Sequence, residues 1–112
     1  MADTHMPARW YGDDESECLV DALKERYQVR HRSPIVRLAL IFLLDHPPDA
    51  HQLAYARAAK GKGENCSWMP DNASLDAQDA AIERYGLTQH QAQRLALRVL
   101  ADAEGVSEFV PA

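Results

Sequence analysis

Two stretches of this 112-residue chain carry side chains that could hold an anion. Arg30, His31, Arg32 and Ser33 stand directly before the apolar run from Ile35 to Leu44, and Thr88, Gln89 and His90 stand before a second run, Arg-Leu-Ala-Leu, ending at Leu97. A helix start leaves backbone N–H groups without partners and carries the positive end of the helix dipole. Polar or cationic side chains placed there complete a phosphate site. The first set is charged and the second is polar but uncharged at neutral pH, so such a clamp is lopsided. The plainer reading makes Ser33 and Thr88 helix caps and the arginines a solvated turn.

Other chemistry finds little support. Asp45, His46, Asp49 and His51 could be drawn around a metal, but Pro47 and Pro48 between them suit a turn, and no metal site is expected. Cys18 and Cys66 lack the spacing of a zinc knuckle or a disulfide framework. There is no glycine-rich phosphate loop and no Ser-His-acid spacing, so the expectation is a protein that is not an enzyme, with no catalytic residue and no cofactor. No apolar run nears the roughly 20 residues that span a bilayer. No charged-then-apolar leader opens the sequence, and a reduced, cytoplasmic protein without membrane contact is expected.

The net charge of −5 opposes the usual basic footprint of a nucleic-acid binder. Its distribution is uneven: residues 10–23 carry only acids, whereas residues 24–37 hold Lys24, Arg26, Arg30, Arg32 and Arg37 against Glu25 alone.

The elements that must position these groups are written twice. Trp10 to Tyr27 set over Trp68 to Tyr85, at a constant offset of 58, gives eight identities in eighteen positions, including Trp, Asp13/Asp71, Ser16/Ser74 and the closing Glu-Arg-Tyr. Beyond the turn the offset falls to 57, where Arg37-Leu38-Ala39-Leu40 matches Arg94-Leu95-Ala96-Leu97, and Leu43/Leu100 and Asp45/Asp102 align again. A duplication explains this better than two unrelated amphipathic hairpins.

Each copy reads as a short extended piece around its tryptophan, a first helix ending at the tyrosine, and a second helix. Leu19, Leu23 and Tyr27 recur at spacings of four, as do Ala77, Ala81 and Tyr85. Ser33 with Pro34 after it looks like an N-cap followed by the first helical residue, and Thr88 with Gln91 fits a capping box. The helix over Ile35 to Leu44 is apolar nearly all round and must be covered on several sides. A unit of about 40 residues cannot do that alone, so the two copies are expected to pack through Ile35, Leu38, Ala39 and Phe42 against Ala92, Leu95, Ala96 and Val99, about a pseudo-twofold axis. One compact domain over 1–112 results, with a first unit at 6–46, a linker at 47–63 and a second unit at 64–103. In the linker Asp49 is placed to cap a short helix from Ala50 to Lys60, closed by Gly61.

Arg32 to Leu40, RSPIVRLAL, and Gly86 to Leu97, GLTQHQAQRLAL, resemble the second-helix signature of ribbon-helix-helix proteins, and Pro70-Asp71 is similar to the Leu-Pro-Asp that opens that family's first helix. The resemblance implies a mainly α fold with a short two-stranded antiparallel β-ribbon, a tandem ribbon-helix-helix pseudo-twofold dimer in one chain. It implies a bacterial, plasmid or viral regulator of transcription that binds double-stranded DNA, the ribbon in the major groove and the second-helix N-termini at Arg30 to Ser33 and Thr88 to His90 on the phosphates.

The ribbon itself departs from that pattern. Base edges are read by hydrogen-bonding side chains, and one register would turn Ala8, Trp10, Cys66 and Trp68 outward. The other turns out Arg9 and Tyr11 with Asn65 and Ser67, the residues then expected to contact bases. A slip of one residue exchanges the faces; the cost of exposing two indoles favours tryptophans inward. The acidic balance keeps a second function open: a protein-binding derivative acting as an inhibitor, anti-defence or antitoxin-like, without DNA. The expected species in solution is a monomeric pseudodimer, open to further association.

Overall fold

The computed structural model describes the backbone of residues 8–12, 14–58 and 64–106, and the side chains of residues 14–58 and 68–106. The elements in chain order are β1 (Ala8–Gly12), α1 (Asp14–Tyr27), α2 (Arg32–Asp45), α3 (Ala50–Arg57), β2 (Glu64–Trp68), α4 (Asn72–Tyr85) and α5 (Gln89–Glu104).

Local chemistry sets most of the helix ends. Asp49, Asp71 and Thr88 each cap a helix in a full capping box, with Gln52, Ser74 and Gln91 answering three residues on. Hydrogen bonds from Ser74 hold the Asp71 carboxyl below its ordinary range. The acids Asp14, Glu15 and Glu17 sit in the first turn of α1, and Lys24 and Arg26 in its last, matching the dipole at both ends. Gly86 stops α4 in the left-handed conformation at φ 65. At the equivalent place α1 stops on Gln28, φ 57, a conformation that costs a side-chain-bearing residue about 1 kcal/mol.

Packing is helix on helix. α2 lies against α5, each also packs on the other copy's first helix, and α1 with α2 and α4 with α5 pack within their copies. Leu19, Leu23, Ile35, Leu40, Leu95, Leu97 and Leu100 fill the core, none more than 1% exposed. Among the buried polar side chains, Gln93 donates to Gln78 Oε1 at 3.1 Å. No helix among the described residues is long and apolar enough to cross a membrane.

The expectation of a ribbon-organised pseudo-twofold dimer is corrected here. The residues described with side chains form an all-helical body, five helices holding 79% of them. Pairs of five-residue strands bury too little to organise a fold. β1 and β2 contribute a backbone ladder at one edge, antiparallel with Ala8 opposite Trp68, Trp10 opposite Cys66 and Gly12 opposite Glu64. Of its side chains only Trp68 is described, and it is buried.

The twofold is broken by α3. This helix packs along α5, its Ala56 is fully buried and Leu53 and Tyr55 join the core. It is therefore a fifth wall of the body, where a connecting segment was expected. α2 has no such cover: Leu38, expected in the shared interface, is 40% exposed and Leu44 is 44% exposed. The apolar helix is packed by α1, α4 and α5 but keeps its outward face in water.

Candidate functional site

The two second helices differ most on their outward faces. On α5, the Arg94 side chain is 2% exposed and lies 3.2 Å from Glu15 of α1. It donates to the Tyr55 carbonyl oxygen at 2.8 Å and stacks over the Tyr55 ring at 4.1 Å. Arg98 sits 4.9 Å from the same ring, and Gln52 donates to Asp102 at 2.8 Å. Arg94, Arg98 and Asp102 thus form the seat on which α3 rests. The start of α3 meets Asp102 and its end meets Arg94, so the two helices run in opposite senses and the seat's charges match the α3 dipole.

The equivalent residues of α2, at the offset of 57, are Arg37, Ile41 and Asp45. Arg37 donates to the Met69 carbonyl oxygen at 2.6 Å, and one turn earlier Ser33 accepts from the Met69 N–H at 2.8 Å. These bonds fix the end of β2 against α2. They leave Met69 45% exposed. Leu38, Leu44 and Met69 are the large apolar side chains most exposed among the described residues, and by helical spacing Leu38 and Leu44 flank the half-buried Ile41 on the outward face of α2.

The anion sites fare differently. Arg32 is held by Glu17 at 3.2 Å, and Ser33 is no cap: the N-cap is His31, which makes no side-chain capping bond, while the Ser33 hydroxyl serves Met69. Arg30 and His31 are exposed. In the second copy Thr88 caps α5 and is exposed with Gln89, while His90 is only 7% exposed. His90 sits in the second residue of α5, on the side that faces the body, which its polar character concealed.

Most cations of the basic segment have a partner. Lys24 pairs with Asp21 at 3.5 Å, Arg26 with Glu104 at 3.3 Å, and Arg37 is turned to a carbonyl. Glu104 also accepts from the Tyr27 hydroxyl at 2.6 Å; burial first, then this bond, push the Tyr27 phenol up to about 12. The clasp joins the ends of α1 and α5.

The side chains of Arg9, Tyr11, Asn65 and Ser67 lie outside the described residues; in the backbone ladder Arg9 pairs with Ser67 and Tyr11 with Asn65. No group of three or more metal-ligating side chains gathers among the described residues. His46, considered for such a site, stacks on Phe42 at 3.6 Å between ring centroids.

Sequence reasoning missed the outer face of α2. The signal was present: the second helix occurs twice but the linker helix once, so only one copy could be covered by it. Compared with family models, with curated proteins and with solved structures, the chain finds no match.

Proposed function

We propose that this protein works by binding protein, as an inhibitor or antitoxin-like partner, and neither by catalysis nor by gripping DNA. The observation that supports this reading is the outward face of α2, where Leu38 and Leu44 are exposed on either side of the half-buried Ile41. Burying a leucine side chain from water contributes about 1.5–3 kcal/mol, so a few such residues at one place dominate an association. Phosphate binding instead needs cations standing in solvent. In the segment from 24 to 37 each of Lys24, Arg26 and Arg32 has a carboxylate at its side.

One observation favours DNA as a second reading: Arg30 and His31 are exposed just ahead of a helix that no side chain caps. A mobility-shift titration on random duplex DNA at about 50 and about 200 mM salt separates the two, because phosphate-driven affinity falls steeply with salt. The expected result is no retardation at either concentration. A complex seen at low salt, weakened at high salt and lost in Arg30→Ala, overturns the protein-binding reading.

A further inference from the structure

The polarity of α2's outer face is the same read from either end. Arg37 and Leu38 stand four and three residues before Ile41; Leu44 and Asp45 stand three and four residues after it. At 100° per residue these five positions spread symmetrically about the direction of Ile41, the leucines flanking and the charges between. Arg37 and Asp45 are eight residues apart, about 12 Å along the axis. An antiparallel copy of the same helix crossing at Ile41 therefore brings Arg37 level with Asp45 across the contact, twice, with the leucines along its two edges. The face is complementary to itself.

Resting on the reading that this face binds protein, we propose that its occupant is a second copy of this chain, the two α2 helices packing antiparallel about a twofold axis through Ile41. The molecule already holds a helix in that way. On α5 the equivalent Arg94 and Asp102 bracket α3, which runs antiparallel and presents a carbonyl to the arginine and a donor to the aspartate. A second α2 brings a carboxylate to Arg37 and a guanidinium to Asp45, and at the centre Ile41 meets Ile41 where α5 has Arg98. A twofold contact uses one patch on both partners, so no second apolar surface is required. Leu38 and Leu44, two of the three most exposed large apolar side chains among the described residues, flank the contact. One helix pair lies at the small end of specific interfaces, so the dimer forms reversibly in the micromolar range.

Sedimentation velocity or light scattering on the full chain at low salt tests this. The mass should rise with concentration from the 12.5 kDa of one chain toward double. R37D and D45R should each weaken association at least about tenfold, since each sets like charges together. An equimolar mixture of the two variants should restore it as a heterodimer, and so should the double variant R37D/D45R. Circular dichroism establishes that the variants are folded; if R37D is not, D45R and L38E, at exposed positions, carry the test and must both reduce association. A chain that stays monomeric throughout, or a dimer indifferent to these changes, overturns the proposal. A monomer that binds no DNA removes only the second copy as occupant, whereas a DNA complex removes the reading beneath it.

Discussion

The outer faces of α2 and α5 began as the same sequence and now live in different solvents. Leu95 is fully buried while its counterpart Leu38 is 40% exposed, and Ala101 is fully buried while its counterpart Leu44 is 44% exposed. The helices themselves are not the cause. α5 has α3 across it, and one linker can cover only one of two equivalent faces. Apolar residues on the uncovered copy carry a physical cost in solubility, and on the function proposed above that face takes the partner.

The largest expected contrast is between the matched leucines. Leu95→Ala should cost about 3 kcal/mol by leaving a cavity in a closed core, and Leu38→Ala well under half of that, as read from urea unfolding. Equal costs would mean that α2 is covered in solution. Next come the matched arginines. Arg94→Ala removes a buried guanidinium that ties α1 and α3 to α5, and about 3 kcal/mol is expected; Arg37→Ala loses a bond at a half-exposed site and should cost about 1 kcal/mol.

The two helix starts differ by less. Thr88→Ala should cost about 1 kcal/mol, whereas His31, an N-cap position without a side-chain bond, should gain up to about 1 kcal/mol on substitution with aspartate. A loss there would show that His31 makes contacts of its own. The smallest effect is at the clasp. With the Tyr27 phenol raised to about 12 from its ordinary 10.0, its contribution is full below pH 10 and fades as pH rises toward 12. Tyr27→Phe should flatten that part of the stability profile measured by urea midpoint.

Much of this was legible in the residues. Asp49 and Thr88 announced their caps, because a cap is local chemistry between residues three apart. For Trp68 the cost of an exposed indole pointed inward, and it is buried; the side chain of Trp10 lies outside the described residues. Ser33 misled because a serine before a proline looks like a cap from its neighbours alone; its hydroxyl instead meets Met69, 36 residues away. His90 misled because polarity suggests a surface, while its place in the helix leaves it only 7% exposed.

By itself, then, the sequence determined the duplication, the number and polarity of the repeated helices and most of their ends, all of which depend on residues within a turn or two of each other. Only the tertiary structure decided that the body is helix on helix, that the linker helix is one of its walls, and which of two equivalent faces stays in water. Those outcomes turn on where a single connecting helix comes to rest, and hydrophobic burial is indifferent to direction: either face would have accepted it. The seat formed by Arg94, Arg98 and Asp102 settled the choice.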